Sequence, residues 1–415
     1  MEVIQQIAKK ISEHGGRTFY VGGFVRDALL QIPHEDIDLE VFHLSLRELT
    51  HILEQFGPVD HIGKNFGVLR LTNYPQLDFS LPRKEIKKGP HHTDFEITIA
   101  KNLPYIEAAR RRDFTANALM QDVLTGEILD FFAGIVDIKS RILRHVDDAR
   151  FGEDALRGLR AAQFAVRFNF SIDLETQELI RGFYYDALSD ERIQAELQKG
   201  FFSFNARHFL FLLFELRVSE QRITPLTQLK TMQAEKYDNT LELLEQIDQL
   251  HYEAALAQPL KLTALIFYLP KTAAIEVLKT FGTNQTLCKH VLALQRAIQQ
   301  TQSVNTATDA RRLKNNLPDT TQYWIFLSHL ALIDKNIIAK QFKNLEDYQR
   351  FFLMSIKNNP GSAPLIQGRD LIALGFSPDK DFSDLLRYAR ALEEEGLDKK
   401  SIETELTRAH TDVKH

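Results

Sequence analysis

Apolar residues open the chain at helical intervals. Ile4, Ile7 and Ile11 share one face, and Gly15-Gly16 supplies a stop, so the spacing predicts a helix over the first 15 residues. RTFYVGG then reads as a strand entering a glycine turn, and FVRDALLQ as the helix that leaves it. IDLEVFHL is β-branched and apolar, a second strand, and the serine of SLRELTHILEQFG caps the helix after it. GVLRLTN and QLDFSLP flank NYPQ, which predicts an antiparallel hairpin turning at Pro75. Up to about residue 145 the chain is therefore an α/β unit on a small mixed sheet. Beyond it the texture changes. DALRGLRAAQFAVRF, LETQELIRGFYYDAL, RHFLFLLFELRV, LTALIFYLP and EVLKTFG all repeat apolar residues with a helical period, so the remainder is expected to be helical. Loops rich in Asn, Thr and Pro near residues 301–322 and 357–366 are the expected joints.

Composition narrows the class. A chain of 415 residues exceeds what one core supports, so several packed units are expected. With 44% hydrophobic and 26% charged residues it has the composition of a folded globular protein. No uninterrupted apolar stretch approaches the roughly 20 residues that span a membrane, and a cytoplasmic location is expected. Cys288 stands alone, which removes disulfides within the chain and cysteine-based zinc sites. The net charge of −5 means that any nucleic acid must be bound by a local basic patch.

Candidate chemistry concentrates in the α/β unit. Gly22 and Gly23 precede Arg26-Asp27, and Asp36-Ile37-Asp38 begins the next strand. Residues two apart on a strand share a face, so Asp36 and Asp38 converge where two magnesium ions could be bound for phosphoryl transfer. The paired glycines allow close approach of backbone to phosphate at a helix start. Asp78 on a separate strand, or Glu40 on the face of Asp36 and Asp38, supplies a third carboxylate. Taken alone, a D-x-D pair is two solvated acids; the glycine turn on the preceding element changes that weighting.

GGFVRDALLQIPHEDIDLEVF resembles the first motif of the bacterial and eukaryotic class of tRNA CCA-adding enzymes and bacterial poly(A) polymerases, within the polymerase-β-like nucleotidyltransferases. RRRDFTANAL at 110–119, EILDFFAGIVDIKSRILRHV at 127–146, EDALRGLRAAQFAVRF at 153–168 and ERIQAEL at 191–197 follow in the family's order, so the resemblance covers the first half well. It implies an α+β fold, with a polymerase-β-like head on a five-stranded mixed sheet over residues 1–145. A helical neck over 146–205, a body over 206–355 and a tail over 356–415 would follow, the last two binding tRNA.

The resemblance further implies that Asp36 and Asp38 are catalytic and hold two magnesium ions; from the strand pattern Asp78 is read as the third metal ligand ahead of Glu40. It places Gly22, Gly23, Arg26, Arg111, Arg112, Asp113, Asn117, Asp154, Arg157 and Arg160 at the nucleotide, with Asp113 on the ribose. Glu153, Glu191 and Arg192 support nucleotide selection. Asp154 and Arg157 sit three apart on a predicted helix and share a face, offering an acceptor beside a donor. Cytosine and adenine each present an amino donor beside a ring-nitrogen acceptor, so the pair suits CTP and ATP and mismatches GTP and UTP. The expected function is template-independent addition of C and A to the acceptor end of tRNA.

The polar segment from Arg83 to Asn102 looks like the family's flexible loop, which favours a complete CCA or an A-adding enzyme over one adding C alone. His91-His92 within it lack further metal-ligand candidates. AAQFAVRFNF reads as packing. The chain contains no His-Asp dipeptide, so no phosphohydrolase activity of the His-Asp type is expected. PLIQGRDLIALGF resembles a tail segment of bacterial members, and Lys and Arg of ARRLKNN are candidates for RNA phosphates. Poly(A) polymerase, a CC-adding or A-adding partial enzyme and a catalytically silent RNA-binding protein on the same fold are the rival readings.

Overall fold

The structure is a computed structural model that describes residues 2–33, 36–62, 67–87, 95–334, 337–357, 366–374, 376, 382–394 and 397–412. It divides into two compact units, residues 1–284 and 285–415. That division falls inside the 206–355 segment expected as one body, because the helices that follow residue 206 close their core on the preceding neck.

The first unit begins with α1 (Glu2–Glu13), whose Ile4, Ile7, Ala8 and Ile11 are buried as the spacing predicts. β1 (Arg17–Val21), α2 (Gly23–Leu30), β2 (Ile37–Phe42) and α3 (Leu46–Leu53) follow. Ser45 and Glu48 close a reciprocal cap at the start of α3. β3 (Val59–Ile62), β4 (Val68–Leu71) and β5 (Tyr74–Ser80) extend the sheet on one side. β6 (Arg83–Lys87) and β7 (Phe95–Ile99) form a separate ribbon, and α4 (Tyr105–Arg110) leads to β8 (Met120–Asp122) and β9 (Ile128–Leu129).

The main sheet has seven strands in the order β3-β4-β5-β2-β1-β8-β9, mixed because β2 and β5 run parallel. That is two more than expected. The edge strands β3 and β9 are four and two residues long, too short to announce themselves by alternation, and their pairing is decided by neighbours. Phe19 and Val21 of β1 and Phe42 of β2 pack with Ala108, Ala109 and Met120. Phe19 and Phe42 meet edge to face at 5.6 Å.

Two local expectations shift. The β4-β5 hairpin forms, but it turns at Thr72-Asn73, with Leu71 opposite Tyr74. Pro75 lies inside β5 where the register slips between Arg70 and Leu71 and before pairing with β2 begins at Leu77, a position where a missing N–H costs no ladder bond. The segment from Arg83 to Asn102, read as a loop, carries the antiparallel pair β6-β7, since Phe95, Ile97 and Ile99 alternate with polar residues. Gly89-Pro90 and His91-His92 lie outside the described residues.

α5 (Gly134–Ser140), the two-residue strand β10 (Ile142–Leu143) and α6 (Asp148–Phe151) lead to the neck. Its long helices are α7 (Leu156–Phe168) and, after β11 (Ser171–Ile172) and α8 (Leu174–Arg181), α9 (Asp190–Phe201). α7 buries nearly its whole circumference, and Gly158 lies where any Cβ would collide with the Tyr185 hydroxyl. Further on, Lys261 and Asp248 form a nearly buried ion pair, with side chains 5% and 9% exposed. Lys261 also donates to the Ser203 carbonyl at 2.7 Å, and Asp248 accepts from the Ala206 amide at 2.7 Å, satisfying the helix start at Ala206.

Among its described residues the regular elements of the second unit are all helices. Residues 307–316, expected within a loop, form the helix Ala307–Asn316, because Thr306 and Asp309 build a capping box. A buried hydroxyl chain joins Thr301 to Tyr323 at 2.9 Å and Tyr323 to Tyr348 at 2.9 Å. Ile366, Leu371, Phe376, Ala389, Leu392, Ile402 and Leu406 make a smaller apolar cluster near its end. Of the second expected joint, residues 358–365 lie outside the described residues. Among the described residues no helix is long and apolar enough to cross a membrane.

The tight fit at Gly158 gives a stability test. Gly158→Ala should lower stability by about 1–3 kcal/mol, the usual cost of overpacking, read as a fall in the thermal midpoint. An unchanged midpoint would mean that Tyr185 moves aside freely.

Candidate active site

β1 ends at Val21, and Gly22 turns the chain into α2 with φ 65° and ψ −128°, a conformation open to glycine and strained for other residues. A Cβ on Gly22 would come within 3.2 Å of Arg112 Nη1. Antiparallel to β1, β2 carries Asp38; Asp36 lies just before the strand, and both acids are exposed. Asp78 of β5 stands beside Asp38 in the parallel register.

A cleft of about 410 Å³ gathers residues from separate elements. The β1-α2 junction contributes Gly22, Gly23 and Arg26, β2 contributes Asp38, and the segment after α4 contributes Arg111, Arg112, Asp113 and Asn117. The start of α7 adds Asp154, Arg157 and Arg160, and α9 adds Arg192. Sequence reasoning missed Leu156 as a lining residue and assigned Phe164 to packing. Phe164 follows Arg157 by seven positions and Arg160 by four, one helical face, which was the available signal. Asp36, Asp78, Glu153 and Glu191 do not line this cleft. Glu153 lines an adjoining cavity of about 480 Å³ that shares Arg111 and Arg157, and Glu191 is exposed in the first turn of α9.

The acids are held in different ways. Arg70 clamps Asp78 with two bonds of 2.7 Å. Glu40, 1% exposed, receives Arg111 at 2.8 Å and Arg112 at 3.6 Å. Neither Asp36 nor Asp38 forms an ion pair among the described residues. Desolvation in its concave setting pushes the Asp38 carboxyl above the usual range; Arg112 opposes this, while Asp78, Asp36 and Glu40 add to it. Burial and the adjacent Arg111 pull Arg112 below the usual arginine range.

Asp113 accepts more hydrogen bonds than the other acids of the cleft. Its Oδ1 accepts from the Phe114 amide and from Asn117 Nδ2, each at 2.9 Å. Its Oδ2 accepts from Arg160 Nε at 2.8 Å, and Arg160 Nη2 stands 2.7 Å from it in the ion pair. Burial works against the charge, but Arg160 and Asn117 prevail and hold its carboxyl below the ordinary carboxylate range. Asn117 Oδ1 in turn accepts from Arg26 Nη1 at 2.5 Å.

Arg26, expected at the nucleotide, is 5% exposed. It donates twice to Asp27, at 2.8 and 2.6 Å, and lies over the Phe164 and Phe168 rings at 5.1 and 4.2 Å. Its guanidinium is thus committed to the protein.

Asp154 and Arg157 both reach the cleft, but not from one helix as the face argument expected. α7 starts only at Leu156, so Asp154 caps its first turn, accepting from the Leu156 amide at 3.1 Å through Oδ1. Its Oδ2 accepts from Arg192 Nη2 at 2.7 Å. Arg157 donates to the carbonyls of Arg150 at 2.7 Å and Arg111 at 3.0 Å. Each Asp154 oxygen keeps a further lone pair and each Arg157 Nη a second hydrogen, so acceptor and donor capacity remain. With six arginines against three aspartates on its wall, the cleft suits a polyanion.

Residues 18–144 match the poly A polymerase head domain. The chain is 37% identical over 205 residues to a multifunctional CCA protein of Nitrosospira multiformis, covering 48% of this chain and 47% of that one. It is 38% identical over 189 residues to that of Haemophilus ducreyi, covering 44% of each. The chain thus matches about half the length of these curated relatives. Among solved structures, a CCA-adding enzyme in apo form II is similar with a TM-score of 0.68 at 21% identity, over 98% of this chain and 95% of that one. The Thermotoga maritima CCA-adding enzyme complexed with tRNA has a TM-score of 0.64 at 20% identity, over 98% and 95%. The Bacillus stearothermophilus enzyme in complex with CTP has 0.64 at 20%, over 99% and 98%. The resemblance read from the motifs is shown, and the fold is that of these enzymes.

Arg26→Met should leave Asp27 and Asn117 without their partner and lower stability by about 3–5 kcal/mol in urea unfolding. Full stability with weakened nucleotide binding would instead assign Arg26 to the ligand.

Proposed function

We propose that this protein adds C and A from CTP and ATP to the 3′ end of tRNA without a nucleic-acid template. The gathering of the glycine turn, Asp38, the arginine-rich wall and Asp154 with Arg157 in one cleft carries the reading. The curated CCA proteins similar over half the chain, and the shared fold of CCA-adding enzymes solved with CTP and with tRNA, support it.

The reaction joins the RNA 3′-hydroxyl to the α-phosphate and releases pyrophosphate. In this reading Arg111, Arg112 and Arg160 orient the triphosphate by charge-assisted bonds, and the Gly22-Gly23 turn lets its oxygens approach backbone amides at the start of α2. Asp154 and Arg157 read the Watson–Crick edge of cytosine or adenine, and Arg192 keeps Asp154 in place. Guanine and uracil would set a carbonyl against the carboxylate and an N–H against the guanidinium.

The open oxygens of Asp36 and Asp38, crowded by neighbouring acids, fit a hard divalent cation. Magnesium held there would lower the charge barrier at the phosphate and favour the hydroxyl as nucleophile. Asp78 fits less well, because both its oxygens are taken by Arg70. Among the described residues no three ligand side chains converge as a ready-made metal cluster.

Purified protein with magnesium should extend tRNA transcripts ending before CCA, after C and after CC to a complete CCA end and then stop. Extension halting at CC, extension only from the CC end, or a long A tail would each replace this reading with one of its relatives. Asp36→Ala and Asp38→Ala should each lower the rate by roughly a thousandfold or more, and chelation of magnesium should abolish it. Undiminished activity in either variant would sink the metal assignment.

A further inference from the structure

Arg157 is steered by two backbone carbonyls from different elements. One Nη donates to the Arg150 carbonyl at 2.7 Å, within α6, and the other to the Arg111 carbonyl at 3.0 Å, just after α4. A guanidinium is planar and rigid, so the spacing of these two acceptors sets which way its remaining N–H groups point. Whatever holds α4 against α6 therefore holds Arg157 toward the base.

Ion pairs and one amide bond close a ring between the two elements. Glu107 of α4 accepts from Arg150 Nη2 through Oε2 and from Arg110 Nε through Oε1, each at 3.1 Å. Arg110 Nη1 donates to Asp147 Oδ2 at 3.4 Å, and Asp147 Oδ1 accepts from the Arg150 amide at 3.0 Å as the cap of α6. The ring thus includes Arg150, which carries one of the two carbonyls, and Arg110, which adjoins the other. Glu107, Arg111, Arg150 and Arg157 line the same cavity of about 480 Å³ beside the cleft.

With side chains 37% and 36% exposed, Arg150 and Glu107 add little to global stability. Their effect is geometric, since they join segments 43 positions apart in the chain. Resting on the proposed function, we infer that Glu107 and Arg150 are positioning residues: their ring fixes the Arg111 and Arg150 carbonyls, and through them the orientation in which Arg157 selects cytosine over uracil.

Equilibrium binding of CTP and UTP to the full chain, with magnesium and without RNA, tests this. Glu107→Gln removes the charge that holds Arg150 and Arg110, and should lower the preference for CTP over UTP roughly tenfold with the thermal midpoint unchanged. Arg150→Met should do the same, because its carbonyl remains but its tether is gone. In an Arg157→Met background neither change should alter the preference further, since both act through Arg157. An unaltered preference in either single variant overturns the inference, as does a loss of equal size in the Arg157→Met background. A lower midpoint with the preference kept would reduce the ring to a structural tie and overturns it too. Wild-type protein that prefers CTP but adds no nucleotide to tRNA would refute the proposed function and leave this comparison intact. Wild-type protein that binds neither nucleotide, or both alike, would refute both.

Discussion

The site depends on a buried carboxylate kept ionised. Asp113 is 8% exposed, and an isolated carboxylate in that position would protonate or destabilise the fold. Arg160 from the neck prevents this on one side and Asn117 on the other. Asn117 is itself held by Arg26, and Arg26 by Asp27. A single run of bonds therefore joins the first helix after the glycine turn to the long helix of the neck. Removal of any member leaves a buried charge or polar group without its partner, so the run acts as a unit. The cleft lies along this run, and its walls cannot shift independently of it.

The sheet sets a second constraint. Parallel pairing of β2 with β5 puts Asp38 beside Asp78, and strand alternation puts Glu40 on the same side. Like charges so close would repel unless each found a cation. Arg70 answers Asp78, and Arg111 with Arg112 answers Glu40. Among the described residues Asp36 and Asp38 have no such ion pair, and the Asp38 carboxyl is pushed above its usual range by desolvation first and by these neighbouring acids second. Asp78 and Glu40, the two candidates for the third carboxylate, are thus both already engaged by arginine.

Beyond the cleft, buried polar contacts locate helices whose apolar faces alone would leave their register loose. In the first unit Lys261 and Asp248 tie a helix start and a loop carbonyl together. In the second, the Thr301, Tyr323 and Tyr348 hydroxyls do the same without charge. Such groups specify one arrangement among several apolar ones of similar energy.

Much of this was legible in one dimension. The helical spacing of Ile4, Ile7 and Ile11, the strand around Asp38, the glycine turn and the ordered motifs determined the fold class and named nearly every residue of the cleft, because period and turn chemistry are local properties. Spacing could not say which donors each acid meets. Asp154 and Arg157 look like neighbours on one helix face at three residues apart, yet the helix begins after Asp154, which meets Arg192 from 38 positions away. Arg26 looks like a ligand residue, yet Asn117, 91 positions on, and the rings beneath it occupy its guanidinium. Residue identity and short-range period determined what chemistry is available; the long-range contacts of the tertiary structure decided which groups remain free to perform it, since hydrogen-bond capacity is finite and the fold allots it first.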